Sequence, residues 1–273
     1  MDFTNKVQNM WEKNNSLLCI GLDPDIEKIP VHLREQPNAL FEFNKAIINA
    51  TSNYVCAYKP NSAFYEAHGS RGIEQLKLTC DYILKNYPEV PILLDFKRGD
   101  IGNTNKFYAT FAFEYLGVQA VTLQPWQGSE AIQVFLDYAE KSLFILDRTS
   151  NPGAGEFQNL ELDGKKLYLI VAEHVKDSWN TNNNCHLVVG ATAPEEMAEI
   201  RKLVGDTFTF LVPGLGAQGG DAQSVIKAGI NSKGTGLIIN SSRSILYSSE
   251  GEDFAESARN VAIQTRDEIN AYR

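Results

Sequence analysis

The stretch "LLDFKRGDIGNT", residues 93–104, ends an apolar run in Asp95, Lys97, Arg98 and Asp100, four charges within six positions. Upstream, "PILLDFK" (91–97) is near-continuously apolar rather than alternating, the signature of a parallel strand covered on both faces. Downstream, "TNKFYATFAFEYLG" (104–117) has helical character and stops at a glycine suited to a helix C-terminus. The stretch is the joint of a strand–helix unit, with charges gathered at the strand's carboxyl end. Opposite charges so crowded are costly unless their fields are used.

The same unit recurs. Strand-like runs are "LLCIGLD" (17–23), "YVCAYKP" (54–60), "PILLDFK", "AVTLQP" (120–125), "LFILDRTS" (143–150), "HLVVGAT" (186–192), "FTFLVPG" (208–214) and "GLIINSS" (236–242). Helical segments lie between them, among them "NALFEFNKAIINATSN" (38–53), "GIEQLKLTCDYILKNY" (72–87) and "APEEMAEIRKLVGD" (193–206). The last carries acids early and bases late, the sense a helix dipole favours. No Pro/Gly/Ser-rich linker interrupts the chain, so residues 1–273 are expected to form one domain. The α/β architecture that closes eight such units is the (β/α)8 TIM barrel, typically about 250 residues long. Residues 1–16 would add an N-terminal helix capping the barrel bottom. An open doubly wound sheet is the alternative, which strand count alone does not exclude.

Barrel active sites lie at the carboxyl ends of the strands. The unusual residues fall there: Asp23, Lys59, Asp95 with Lys97, Thr149 with Ser150, then "GLGAQGGD" and "NSSRS" after the seventh and eighth runs. On a strand Asp95 and Lys97 share a face and Phe96 takes the other. Neighbouring strands are about 4.8 Å apart, so Asp23, Lys59 and Asp95 can form one row. With Asp100 the expected array alternates acid and base. Carboxylates on both sides suit Lys97 to act as a cation or proton donor rather than a Schiff-base nucleophile. A structural ion-pair network would give the same pattern. Arg98 is expected to turn outward.

"GLGAQG" (214–219) matches the glycine pattern of dinucleotide-binding loops. It follows the seventh strand, however, and the acid expected about 20 residues on is absent. In a barrel, the loops after the seventh and eighth strands commonly hold a phosphate. Arg243 could grip it bidentately and Gln218 could add a side-chain donor and acceptor.

Composition limits the partners. A formal net charge of −9 argues against nucleic acid or an anionic membrane as the main partner, though not against a small anionic ligand. No apolar run approaches the roughly 18 residues of a membrane span, and the first residues show no signal-peptide core. A cytoplasmic protein is expected. Cys19, Cys56, Cys80 and Cys185 form no CxxC pair, so they read as small buried hydrophobes rather than zinc ligands.

Taken together, "DFKRGDIGNT", "GLDPD" (21–25), "KPN" (59–61), "TSNPGAGEFQ" (149–158), "PGLGAQGGD" (213–221) and the arginine of "NSSRSI" (240–245) resemble the orotidine 5′-phosphate decarboxylase family, in its longer bacterial-type branch. The resemblance implies a cofactor-free carboxy-lyase of pyrimidine biosynthesis that converts orotidine 5′-phosphate to UMP. It implies Lys97 as proton donor to C6 of the pyrimidine, with Asp95 beside the substrate carboxylate. Asp23 and Lys59 would bind ribose hydroxyls, and Ser150, in preference to Thr149, would contact the pyrimidine. Gln218 would bridge ring and phosphate, and Arg243 would hold the 5′-phosphate. Asp100 and Thr104 would serve the neighbouring site of a homodimer. "NPGAGEFQ" (151–158) would be a lid. Metal-dependent sugar-phosphate decarboxylases and aldolases share the D-x-K-x-x-D pattern, but place a glutamate that helps bind Mg²⁺ where this chain has Lys59. An ammonium has no lone pair to give a metal. A phosphate-binding sensor and an NADP-linked oxidoreductase are the remaining alternatives.

Overall fold

The computed structural model describes residues 2–215 and 221–273. Its strands are β1 (Leu18–Leu22), β2 (Ala57–Pro60), β3 (Leu93–Arg98), β4 (Ala120–Leu123), β5 (Ser142–Leu146), β6 (Glu161–Leu162), β7 (Lys165–Lys166), β8 (Cys185–Val188), β9 (Phe210–Val212) and β10 (Leu237–Ser241). Eight of them form one parallel sheet in the order β2-β1-β10-β9-β8-β5-β4-β3. Parallel bridges Tyr58–Ile92 and Asn61–Asp95 join the two edges, so the sheet closes on itself. Every residue of β1, β5 and β10 is buried, as the unbroken apolar runs require. This is the expected α/β barrel. The open-sheet alternative is excluded by the closing bridges.

The extra N-terminal helix spans Phe3–Lys13, shorter than the 1–16 expected. Asp2 caps it by accepting the Asn5 N–H, and Phe3, Val7, Met10 and Trp11 form its buried stripe. Phe3 meets Phe144 edge to face, and just past the helix Asn14 donates to the carbonyls of Ser52 and Val55. These contacts lie at the amino ends of the strands, so the helix plugs the barrel bottom and leaves the carboxyl end open.

Three departures from the sequence reading matter for the site. The strands stop early: β5 ends at Leu146 and β9 at Val212, releasing Asp147–Ser150 and Pro213–Gly214 as loops. Between β5 and β8 the chain inserts a short helix, Gly155–Gln158, and an antiparallel hairpin of β6 and β7. In β3 the register slips: Leu94 pairs with Val121 but Arg98 pairs with Leu123, so a bulge occupies the strand end. Lys97 sits in that bulge with φ of +45°, a left-handed conformation uncommon for a side chain of its size.

Two polar side chains inside the barrel wall, Arg201 and His186, are matched by partners. Arg201 is buried on the ring of Phe210 and donates to the carbonyls of Gly205, Phe208, Gly229 and Gly236. His186 Nδ1 accepts the Thr209 N–H at 3.3 Å. Burial, with the Arg201 guanidinium nearby, pushes His186 down to about 4. In the unfolded chain a histidine titrates near 6.5. Its folded value is the lower one, so the stability due to neutral His186 is present above about pH 6.5 and is lost as pH falls toward 4. The loss reaches at most roughly 3 kcal/mol. His186→Gln keeps a hydrogen-bonding side chain without the titrating proton. Thermal melts at pH 7 and pH 4.5 should show a smaller acid-induced drop for the variant than for the wild type; equal drops would refute the assignment.

Candidate active site

A cavity of about 620 Å³ opens at the carboxyl end of the barrel. Asp23, Lys59, Asp95, Lys97, Ser150 and Arg243 all line it, drawn from the ends of five strands. Asp95 is its electrostatic centre. The carboxylate is 7% exposed, with Lys59 Nζ 2.9 Å from one oxygen and Lys97 Nζ 2.6 Å from the other. Burial alone would favour the neutral acid. The two ammonium groups outweigh it and hold the carboxyl well below the usual carboxylate range. Lys59, 3% exposed, is the reciprocal case: burial disfavours its charge, yet Asp95 and Asp23 keep its ammonium more stable than usual. The Lys97 side chain, by contrast, is 46% exposed.

The bulge in β3 makes this possible. The pleat alone was expected to put Asp95 and Lys97 on one face. The chain instead turns through a left-handed residue, and the Lys97 N–H is taken up by Thr122 Oγ1 at 3.0 Å. The same hydroxyl donates to Asp95 at 2.9 Å. Thr122 thus ties backbone and carboxylate of β3 together from β4. It was missed in the sequence, where the one signal was a single polar residue inside an apolar run. Asn61, whose amide nitrogen lies 3.5 Å from Asp95, is a second polar neighbour of that carboxylate.

Asp23 is fixed separately. One oxygen accepts the Asn61 N–H at 3.2 Å and the other the Ser242 hydroxyl at 2.8 Å. Tyr247 donates to the Asp23 carbonyl and accepts the Asp25 N–H. Gly21 permits this approach, since a Cβ there would lie 1.9 Å from Ser242 Oγ. On the opposite wall, a Cβ on Gly190 would fall 2.6 Å from Ser150 N, so a glycine lets the two strand ends meet. The Thr149 hydroxyl is engaged by Asn151 and Gln158. Both Thr149 and Ser150 line the cavity.

Arg243 opens the short helix Arg243–Leu246 and forms no ion pair with any described residue. Ser241 bonds Ser244, and Ser242 is committed to Asp23. Gln218 and most of the glycine loop lie outside the described residues. Gly214, at its start, has φ of +96°.

The expected five-membered charge array is corrected to four. Asp100 does not line the cavity of its own chain; its carboxylate accepts the Ile101 N–H at 2.7 Å. The bulge and the turn after it carry the chain away from the cavity before Asp100 is reached. Thr104, on the following helix Gly102–Ala109, is likewise outside it. Arg98 turns outward as expected, paired with Glu66 and laid over the rings of Phe96 and Tyr108. All four cysteines are free and buried.

The geometry is that of a cavity with a fixed ammonium backed by a buried carboxylate, and a guanidinium at its rim that pairs with no acid among the described residues. Comparison with known proteins agrees. Residues 16–258 match the model of the family described as "Orotidine 5′-phosphate decarboxylase / HUMPS family". An orotidine 5′-phosphate decarboxylase from Cellvibrio japonicus (strain Ueda107) is 52% identical over 275 residues, covering 100% of both chains. The structure of Leishmania donovani OMP decarboxylase superposes with a TM-score of 0.87 at 36% identity, covering 100% of this chain and 99% of that one. Leishmania donovani UMP synthase gives a TM-score of 0.89 at 38% identity, and there the chain spans 56% of the longer protein. With the match running over most of its length and a full-length relative at half identity, the chain belongs to the orotidine 5′-phosphate decarboxylase / HUMPS family.

Proposed function

We propose that the chain, as one domain, converts orotidine 5′-phosphate to UMP in pyrimidine biosynthesis, without a metal or organic cofactor. The observation that carries this choice within the family is the Lys59–Asp95–Lys97 triad, built on a buried carboxylate. An ammonium stands where the metal-dependent relatives place a carboxylate, and it consumes one oxygen of Asp95. Mg²⁺ takes oxygen ligands, and a carboxylate clamped between two cations is a poor donor to a third.

In this reading Arg243, helped by Gln218, holds the 5′-phosphate, Asp23 and Lys59 hold the ribose, and Ser150 meets the pyrimidine. The C6–carboxylate bond breaks and leaves its electron pair on C6, in an orbital that no neighbouring carbonyl can delocalise. Lys97 supplies a positive charge aimed at that atom and then transfers its Nζ proton to C6, later regaining one from solvent. A preorganised charge of this kind needs no reorganisation as the carbanion develops. Thr122 and Asp95 hold that charge in place.

Enzymes lower barriers by roughly 8–23 kcal/mol, and one lysine does not account for such a sum. Phosphate binding remote from the broken bond contributes by driving closure of the 151–158 segment. Asp100 and Thr104 serve the partner's site in a cytoplasmic homodimer. Supporting this, Ile101 (57% exposed) and Phe107 (71%) on the same segment present apolar surface that a second copy would cover.

Three measurements test the proposal. Incubation with orotidine 5′-phosphate should abolish its ultraviolet signature equally with and without EDTA; turnover lost to chelator and restored by Mg²⁺ would favour the metal-dependent reading. Lys97→Ala should lower kcat by orders of magnitude while leaving UMP affinity within a few-fold, and near-wild-type turnover would remove Lys97 as proton donor. Mixing Lys97→Ala with Asp100→Ala chains should restore part of the activity, because one of the two sites in the heterodimer is intact. No recovery, with heterodimers shown by native mass spectrometry, would end the shared-site reading.

A further inference from the structure

Asp23, Asn240 and Ser242 all line the cavity where β1 and β10 leave the barrel. Cys19 pairs with Asn240 and Ile20 with Ser241, so Gly21 falls beside Ser242 and Asp23 lies just beyond. The missing side chain at Gly21 gives the Ser242 hydroxyl room to reach Asp23 at 2.8 Å. Ser242 is also the N-cap of the short helix Arg243–Leu246, a position where a serine hydroxyl ordinarily accepts a helix N–H. It makes no such cap here; its hydroxyl is given to Asp23 instead.

The direction of each hydrogen bond follows from the groups themselves. A hydroxyl has one hydrogen, and an ionised carboxylate only accepts. The Ser242 hydrogen therefore lies toward Asp23, and the Ser242 oxygen is left to accept. Asn240 Nδ2 stands 3.3 Å from that oxygen and donates to it. This fixes the amide in one orientation, and its Oδ1 has no hydrogen-bond partner among the described residues although Asn240 is only 8% exposed. An unpaired buried acceptor is costly. Turning the amide over would set Oδ1 against the Ser242 oxygen, two acceptors with no hydrogen between them. The bond to Ser242 thus accounts for the orientation that leaves Oδ1 unpaired.

We propose that Asn240 is a positioning residue for Asp23, acting through Ser242, and that this relay sets the site's preference for a ribonucleotide over one lacking a ribose hydroxyl. Donation from Asn240 polarises the Ser242 hydroxyl and keeps its hydrogen on Asp23. The Asn61 N–H holds the other carboxylate oxygen, so the group is restrained from both sides. The lone pairs left on Asp23 then face a fixed place, where a sugar hydroxyl donates a charge-assisted hydrogen bond. Asn240 touches no reacting atom. The inference rests on the reading of Asp23 as a ribose contact and adds the device that aims it.

Titration calorimetry with UMP, 2′-deoxy-UMP and 3′-deoxy-UMP reads the factor by which UMP binds better than each analogue. Asp23→Ala identifies the hydroxyl that Asp23 meets, because it should cut the factor for the matching analogue by about tenfold. Ser242→Ala and Asn240→Leu should each cut the same factor several-fold. Combining the two should do no worse than Ser242→Ala alone, since Asn240 acts only through that hydroxyl. Circular dichroism checks that each variant is folded. Asn240→Asp keeps the side-chain shape but offers Ser242 a second acceptor, so it should lower the factor too and stands in if Asn240→Leu does not fold. A merely structural Asn240 would lower the melting temperature and weaken all three ligands alike. That result, or losses that multiply in the double variant, overturns the inference. An Asp23→Ala protein that keeps the full factor overturns the ribose reading of Asp23 instead, and failure of wild type to bind UMP overturns the UMP site; either takes the inference with it.

Discussion

The carboxylate of Asp95, shared between two ammonium groups, is the contact on which the site is organised. Its burial would be prohibitive for a lone charge, and the buried Lys59 would be equally costly without it. Lys59 is sunk in the wall and Lys97 stands half in the cavity, so one cation anchors the carboxylate while the other is presented to a ligand. Removing Asp95 would leave Lys59 buried without its direct counter-charge, and would free Lys97 from the position its role needs. The triad is a positioning device first and a stabilising one second.

The barrel exists in a form that delivers this geometry. Its bottom is sealed by the N-terminal helix, so polar groups collect where the strands end. Regular pleating would have carried β3 straight past the cavity. The bulge between Leu94 and Arg98 lets Asp95 face Lys59 while Lys97 doubles back toward the same carboxylate. The left-handed backbone at Lys97 costs on the order of 1–3 kcal/mol, offset in part by the hydrogen bond its N–H gives Thr122. Strain of this kind persists where surrounding contacts over-determine it, and here Thr122 on β4 and Lys59 on β2 do so, both bonded to Asp95 of β3 itself.

Much of this was legible in the chain. The eight apolar runs and their charged ends specify the barrel, because burial on both faces and the barrel's closure leave little freedom. Asp23, Lys59, Asp95, Lys97, Ser150 and Arg243 were all marked as site residues, and all line one cavity. What escaped is what depends on local backbone detail. Strand periodicity put Asp95 and Lys97 on one face for the wrong reason, since a bulge rather than a regular pleat brings them together. It also kept Asp100 in the array, because a pattern of charges in sequence carries no information on where the chain turns away. Thr122 and Asp147, the first polar residues of "AVTLQP" and "LFILDRTS", gave only the signal of being out of place.

That signal has a common physical basis. A polar side chain in a parallel strand covered on both faces must either find a partner inside the protein or be left for one outside it. Thr122 takes the first course and its two hydrogen bonds complete the triad. Asp147 takes the second, buried with both oxygens unpartnered among the described residues. The same burial therefore has opposite consequences at the ends of β3 and β5, on either side of β4. Around Asp95 it is outweighed by two cations and fixes a charge; around Asp147 nothing outweighs it, and charge is suppressed. A site that must hold one carboxylate ionised and can leave another neutral obtains both states from one scaffold, by choosing which of them receives the lysines.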